Sequence, residues 1–231
     1  MRDVDRKRRG VWRVATAAVV AMAAIAFLGA AFAPPPSRVG DSASGPPWVG
    51  IGADGSASNT PDERKQQSGV ILQTVEDHLA DGALVRFALF ATRVRTLYQG
   101  CPRGAADLLG ALEEWQRTQV PGSGTLPEVY LRELDPPARQ AAEEKRPLAI
   151  ILAWDGECVD AKTLTAAATE LAGIPGMRAC WILGGSGLDQ SGLRDRAEKC
   201  FAAFGRRLIV SGSHDLGQGL DDFGRRLRGE R

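Results

Sequence analysis

The sequence predicts an α/β fold, a doubly wound, mostly parallel six-stranded sheet with helices on both faces. Three observations indicate it. Strand-like and helix-like segments alternate along the chain, which is typical of parallel strands joined by crossover helices. The run RPLAIILAW, residues 146–154, is apolar without alternation, as in a strand that is covered on both faces. The segments together span about 180 residues, which suits a single α/β domain.

The individual elements follow in a regular order from residue 48 onwards. WVGIGA (48–53) is a short apolar strand. A helix is predicted next, because Thr60 is a cap residue, Pro61 occupies the first helical position and Glu63 lies three residues after the cap. The runs 83–91 and 93–98 are so close that they predict a hairpin. The remaining elements are a helix over 104–116, a helical stretch from Thr125 to Glu144 that Pro136-Pro137 interrupts, the strand 146–154, and then helix 160–173, strand 177–185, helix 193–205, strand 206–212 and helix 219–227.

The N-terminal segment predicts a membrane anchor. Residues 14–33 form an uncharged apolar run of 20 residues, which as a helix would rise about 30 Å, the thickness of a bilayer core. Basic residues precede it, so residues 1–13 should be a cytoplasmic tail and the domain should lie outside the membrane. Ala31-Phe32-Ala33 resembles a cleavage site, and cleavage would make the protein secreted, but Pro34 follows directly. Residues 34–46, rich in Pro, Ser and Gly, are predicted to be a linker to a domain over 47–231.

Charge and cysteine content narrow the functional classes. Residues 1–33 hold six Lys/Arg and two Asp, whereas the rest holds 23 basic and 26 acidic residues. A weakly acidic main body does not suggest nucleic-acid binding. The four cysteines, Cys101, Cys158, Cys180 and Cys200, have no metal-like spacing. A disulfide is permitted outside the cytoplasm, but Cys180 and Cys200 also fit a role as small core residues.

Oxygen-bearing side chains follow two of the predicted strands. Asp54, Ser56 and Ser58 occupy every second position after the first strand. Asp155 directly follows the apolar strand 146–154. Ligands of open α/β sheets bind beyond the carboxyl ends of the strands, and alternate side chains of an extended segment point the same way. Two carboxylates and two hydroxyls should therefore meet at one edge. Such hard donors favour Mg²⁺, or another hard divalent cation such as Mn²⁺ or Ca²⁺, over zinc or copper.

The sequence DGSAS, residues 54–58, resembles the Asp-x-Ser-x-Ser motif of the metal-ion-dependent adhesion site in von Willebrand factor type A domains. Gly124-Thr125 and the strand ending in Asp155-Gly156 resemble two further motifs of that family. The resemblance implies that Thr125 is also a metal ligand and that the sheet order is 3-2-1-4-5-6. The chain departs from the family pattern at Asn59, where a bulky apolar residue is usual, and at Trp154, where a small hydroxyl residue is common. Both are expected to alter the rim of the site.

We therefore expect a membrane-tethered binding module and not an enzyme. A divalent cation would be held by Asp54, Ser56, Ser58, Thr125 and Asp155, and a protein partner would supply a carboxylate to complete its shell. Simpler interpretations exist for each motif: DGSAS as a turn, Thr125 as a helix cap and Asp155-Gly156 as a strand-ending turn. Two other functions remain open. One is a scaffold whose metal site only stabilises the fold, and the other is a metal-dependent phosphoester hydrolase.

Overall fold

The structure, a computed structural model, describes residues 45–230 apart from 80–81, 119 and 121–123. The predicted cytoplasmic tail, the apolar segment 14–33 and all but the last two residues of the predicted linker lie outside the described residues. Within the described part of the chain, no helix has the length and hydropathy needed to cross a membrane.

The described residues form six strands and six α-helices, in the order that the sequence predicts. The strands are Trp48–Asp54 (β1), Leu84–Phe90 (β2), Val94–Gly100 (β3), Leu148–Ala153 (β4), Met177–Leu183 (β5) and Leu208–Ser211 (β6). The α-helices are Pro61–Thr74 (α1), Leu109–Arg117 (α2), Pro127–Glu143 (α3), Ala161–Ala172 (α4), Ser191–Cys200 (α5) and Leu216–Leu227 (α6). A π-helical segment, Val75–Leu79, extends α1, and 3-10 turns lie at Ala105–Leu108, Ser186–Asp189 and Ala202–Arg207. As predicted from its sequence, α1 begins with a capping box formed by Thr60 and Glu63.

The strands form one sheet in the order β3-β2-β1-β4-β5-β6, which confirms the predicted order. All neighbours are parallel except β2 and β3, which form the predicted antiparallel hairpin. The central strand β1 pairs with β2 on one side and with β4 on the other, and Ala53 lies opposite Leu89 and Ala153. The strand order therefore reverses direction between β1 and β4, which is the usual place for a ligand site in such sheets.

Helices cover both faces of the sheet, as the apolar character of β4 predicts. Helices α1, α2 and α6 pack with Val49, Ile51 and Ala53 of β1 on one face. Helices α3, α4 and α5 pack on the other, and there β1 has glycines. A Cβ atom on Gly52 would collide with the Tyr130 ring, so glycine at this position allows α3 to approach the sheet closely.

The prediction that Pro136-Pro137 interrupts the third helix is wrong, because α3 runs without a break from Pro127 to Glu143. A proline inside a helix leaves the carbonyl four residues earlier without its helical donor. For Pro137 that carbonyl belongs to Glu133, and it accepts a hydrogen bond of 3.0 Å from Arg86 Nη1 of β2. The sheet thus supplies the missing donor, while Leu134 and Ala138 remain on the buried face.

Candidate metal centre

Two neighbouring strands bring the two predicted acidic ligands to the same edge of the sheet. Asp54 is the last residue of β1, one residue later than the predicted strand end, and Asp155 follows β4 by two residues. Because Ala53 pairs with Ala153, both carboxylates extend directly beyond the last paired residues. They lie close enough for the negative charge of Asp155 to act on Asp54.

The Asp54 carboxylate is fully buried and is held by hydrogen bonds from both sides. Its Oδ1 accepts from the Ser56 backbone N–H at 2.7 Å, and its Oδ2 accepts from Thr125 Oγ1 at 3.3 Å. The Asp54 carbonyl accepts from Trp115 Nε1 at 2.8 Å. Burial, with a smaller contribution from the negative charge of Asp155, raises the pKa of Asp54 to about 6, although the hydrogen bonds from Ser56 and Thr125 act to lower it. A cation at this position would favour the ionised form.

The two serines also lie beside one another, as the alternation of the motif predicts. Ser56 Oγ is buried and lies 2.8 Å from Ser58 Oγ, whereas Ser58 is exposed. Ser56 is in addition paired across an isolated bridge with Val120, and Val120 N–H donates to the Gly55 carbonyl at 3.0 Å. The backbone of the DGSAS loop is therefore tied to the segment that precedes Thr125.

Thr125 is buried but does not act as a helix cap. The N-cap residue of α3 is Leu126, and no side chain makes a capping hydrogen bond there. The Thr125 hydroxyl instead donates to Asp54 Oδ2. Because Leu126 N–H donates to the Ala91 carbonyl at 3.2 Å, the backbone after Thr125 is fixed to the end of β2. The interpretation of Thr125 as a cap is therefore wrong.

The loop after β4 separates its acidic residues into two environments. Asp155 is buried, and its Oδ1 accepts from the Glu157 backbone N–H at 2.9 Å. The bend needs Gly156, whose φ of +94° favours glycine. Asp160 is exposed and caps α4 by accepting from the Lys162 and Thr163 N–H groups. Asp160 is thus the cap of α4 and lies outside the buried pair of carboxylates.

The donor set of the centre fits a hard divalent cation. Two carboxylates and three hydroxyls are hard oxygen donors, and together the carboxylates balance a charge of +2. No Lys or Arg in the described residues forms a salt bridge to Asp54 or Asp155, although both are buried. The described residues also contain no group of three or more His, Cys, Asp or Glu side chains placed to hold a metal. A metal here would depend on the hydroxyls.

Arg64 is a residue of this centre that sequence reasoning missed. It lies in the first turn of α1 with 1% of its surface exposed. Its guanidinium donates to the carbonyls of Ser56 and Asn59 in the DGSAS loop, and to the carbonyls of Trp115 and Thr118 at the end of α2. It therefore positions the loop that carries the serines. The only signal in the sequence is its helical spacing with Ser68 and Ile71, which places a charge on the buried face of α1.

The expectation that Asn59 and Trp154 alter the rim of the site is wrong, because both side chains are buried. Asn59 Nδ2 donates to Gln67 Oε1 at 3.1 Å, and Gln67 Nε2 donates to the Leu183 carbonyl at 3.0 Å. Trp154 Nε1 donates to the Glu157 carbonyl at 2.6 Å, and its ring packs against Phe201 with ring centroids 6.2 Å apart. Both residues support the loops from below.

Comparisons with known proteins bear on the fold. No family model matches the chain, and no curated protein matches it. Several solved structures are similar to this chain. Proximal thread matrix protein 1 of the mussel byssus is 15% identical, with a TM-score of 0.58 over 79% of this chain and 48% of that one. This chain therefore spans about half of the mussel protein. A further structure of that protein is described as having a zinc-occupied MIDAS motif, the metal-ion-dependent adhesion site.

Two more structures are similar at the same level. The manganese-loaded TRAP protein of Plasmodium vivax is 15% identical, with a TM-score of 0.57 over 77% of this chain and 73% of that one. A von Willebrand factor type A protein from Catenulispora acidiphila is 21% identical, with a TM-score of 0.56 over 78% and 42%. At these identities the likeness establishes the fold alone. The described domain has the fold of a von Willebrand factor type A domain.

Proposed function

We propose that this protein binds a protein partner through a divalent cation held at the edge of β1 and β4. The observation that carries the proposal is the pair of buried carboxylates, Asp54 and Asp155, which adjoin hydroxyl donors and make no salt bridge within the described chain. Burying two like charges is costly, and Arg64, whose positive charge interacts with Asp54, forms no salt bridge with it, so a bound cation would stabilise the folded state.

The cation would be held by Asp54, Ser56, Ser58, Thr125 and Asp155, some of them through water. Mg²⁺ suits this set, since it accepts few protein ligands and keeps several waters, and Mn²⁺ or Ca²⁺ would use the same oxygens. Two carboxylates neutralise the ion and add no excess negative charge. An Asp or Glu of the partner could then replace a water without strong repulsion.

The solved relatives support a divalent cation without specifying which one. The mussel protein is described with zinc in its motif and the Plasmodium protein with manganese. The donors of the present centre are all oxygens, which favours magnesium or manganese over zinc. We infer that the concentration of each free metal ion around the protein, as well as this ligand preference, determines which ion is bound.

A partner would also contact the apolar side chain next to the centre. Val159, in the loop after Asp155, is 69% exposed, and it packs beside Gly124, the residue before Thr125. An exposed valine at the same edge as the cation would add apolar contact around a carboxylate. Partner recognition would thus combine one directional ionic contact with a small area of desolvated surface.

We further propose that residues 14–33 anchor the chain in a membrane with the domain on the extracytoplasmic side. The support is the length of the apolar run and the basic residues before it. Sequencing of the mature protein tests this proposal, and an N-terminus at residue 34 would overturn it. Protease digestion of intact cells tests the orientation, which requires cleavage of the domain from outside.

Binding of metal and partner is tested on the full chain in two steps. Calorimetry with Mg²⁺ and Mn²⁺ should detect a single site, and a cation at a hundredfold excess over Kd should stabilise the domain by about 2.7 kcal/mol. Capture of envelope proteins on the immobilised chain should then require Mg²⁺ and fail in EDTA. A matched pair of variants in one loop gives the control: Asp155→Asn should abolish both effects, and Asp160→Asn should keep them.

The outcome also separates the proposal from its alternatives. Partner capture that persists in EDTA, with the fold intact, would favour the scaffold role. Hydrolysis of phosphate esters that requires Mg²⁺ and is lost in Asp155→Asn would favour the hydrolase. No heat of binding with either metal would overturn the metal centre itself.

A further inference from the structure

Two of the four cysteines connect the loop that carries Asp155 with a helix that packs against it. Cys158 belongs to this loop, and Cys200 is the last residue of α5. The two thiol groups are close enough to influence one another electrostatically. Cys200 is buried in the same apolar cluster on which Cys158 packs, and its Sγ lies 3.9 Å from the Ala161 carbonyl, three residues after Cys158. A disulfide needs sulfur atoms about 2 Å apart, so oxidation would have to draw the two thiols together.

Further contacts hold the Asp155 loop and the end of α5 around this pair of cysteines. On the loop side, Trp154 Nε1 donates to the Glu157 carbonyl, one residue before Cys158. On the helix side, Phe201 follows Cys200 and packs against the Trp154 ring. The same short loop therefore touches the end of α5 at two adjacent points, and a covalent link between the cysteines would join segments that already pack together.

We propose that Cys158 and Cys200 form a disulfide that fastens the Asp155 loop to the end of α5. The other two cysteines do not share this arrangement, since Cys101 is exposed and Cys180 is buried within β5. In the described structure all four thiols are free, so the proposal concerns the protein after oxidation. It goes beyond the proposed metal and partner binding, and formation of the bond in the cell rests only on the proposed extracytoplasmic position of the domain.

The bond would form by exchange with a disulfide of the thiol–disulfide oxidoreductase class or with oxidised glutathione. A thiolate of the pair attacks one sulfur of that oxidant and gives a mixed disulfide. The second thiolate then attacks the cysteine sulfur of the mixed disulfide. The oxidant leaves as two thiols, having taken up the two electrons and two protons that the cysteines lose.

The timing of this reaction follows from burial. Burial, with a smaller contribution from the neighbouring Cys200, raises the pKa of the Cys158 thiol to about 11, so little thiolate exists in the folded domain. Cys200 is only 3% exposed, which also denies access to an oxidant. The disulfide should therefore form while the chain folds, and in the folded protein it should resist reduction.

Thiol counting on the full chain tests the pairing. The chain is refolded in a buffer of reduced and oxidised glutathione, denatured without reductant and titrated for free thiols. Wild type should show two, and Cys158→Ser and Cys200→Ser should each show three. Cys101→Ser is the matched control and should show one. Peptide mapping without reduction should recover residues 158 and 200 in a single linked species.

Thermal unfolding tests the effect on the loop. The oxidised wild type should melt about 5–10 °C above the Cys158→Ser variant, because the bond closes a long loop of the unfolded chain. Four free thiols in refolded wild type, or a link to Cys101 or Cys180, would overturn the pairing. A melting temperature of Cys158→Ser equal to that of Cys101→Ser would overturn the stabilising role. Neither measurement involves a metal ion, so failure here leaves the proposed function untouched, and the reverse also holds.

Discussion

The two loops that carry the acidic residues of the candidate centre are held in different ways. The DGSAS loop after β1 is fixed by polar contacts, from Arg64 to two of its carbonyls and from Trp115 to the Asp54 carbonyl. The loop after β4 is fixed mainly by apolar contacts, in which Trp154 packs on Phe201 and Cys158 packs on the core. The two carboxylates thus follow neighbouring strands, but one lies in a loop held mainly by hydrogen bonds and the other in a loop held mainly by apolar packing.

This difference has a physical consequence for the two loops. A buried polar network is strong when every member has a partner and fails sharply when one is removed, because the others lose their partners. Apolar packing fails more gradually, since each contact contributes little and neighbours can partly fill a gap. Substitutions in the first loop should therefore be more damaging than comparable ones in the second.

The largest effect should come from Arg64→Met, which keeps the length of the side chain and removes its donors. Four backbone carbonyls lose a charged donor in the interior, and we expect a loss of about 3–4 kcal/mol in the free energy of unfolding. Urea unfolding measures it. Arg117→Met, on the exposed face of α2, is the control and should stay within about 0.5 kcal/mol. Equal losses in the two variants would contradict the positioning role of Arg64.

The next effect concerns pH and distinguishes the two carboxylates. Burial raises the pKa of Asp54 from 3.8 to about 6, so the folded protein holds this proton more tightly than the unfolded chain does. The cost of ionising Asp54 is absent below pH 3.8, grows up to about pH 6 and is then complete. In EDTA, the free energy of unfolding should therefore fall by about 2 kcal/mol between pH 4.5 and 7 because of Asp54.

Variants show whether Asp54 causes this slope. Asp54→Asn should remove it, whereas Asp155→Asn should only lower the pKa of Asp54, because one like charge is lost and burial remains. Saturating Mg²⁺ should also flatten the slope by favouring the ionised form. A pH profile of Asp54→Asn that matches wild type would show that another group is responsible.

A smaller effect is expected from Thr125→Ala, in the segment before α3 whose hydroxyl donates to Asp54. Because Leu126, not Thr125, is the N-cap of α3, loss of the hydroxyl should cost about 1 kcal/mol or less in stability. Affinity for Mg²⁺ should fall about tenfold, since the only proposed ligand outside the two loops is removed. Calorimetry measures the affinity and Thr118→Ala serves as control. Wild-type affinity in Thr125→Ala would exclude this residue from the shell.

The sequence predicted the fold well because the signals for it are local and repeated. The capping box at Thr60 and Glu63, the hairpin and the unbroken apolar run of β4 each depend on a few adjacent residues, and all are present in the structure. The order of the strands came from the resemblance to a known family and is also confirmed.

What the sequence did not predict depends on residues that are distant along the chain. The helix α3 continues through Pro137 because Arg86, on another element, donates to the Glu133 carbonyl that this proline leaves without a helical donor. Asn59 and Trp154 were missed for a different reason: their hydrogen bonds to Gln67 and to the Glu157 carbonyl are short in sequence but follow no recognisable pattern. Arg64 acts through carbonyls, which have no sequence signature. The five proposed ligands remain a prediction that binding experiments must decide.

The smallest effect should come from Trp154→Phe in the second loop. This variant keeps a large ring against Phe201 and removes only the hydrogen bond to the Glu157 carbonyl. Because the loop is held mainly by apolar contact, we expect a loss of about 1 kcal/mol in stability and a change of less than threefold in metal affinity. Trp154→Ala, which also removes the ring, should cost more than Trp154→Phe, because it leaves a cavity against Phe201. If Trp154→Phe is as damaging as Arg64→Met, the second loop also depends on a polar contact, and the contrast between the two supports is wrong.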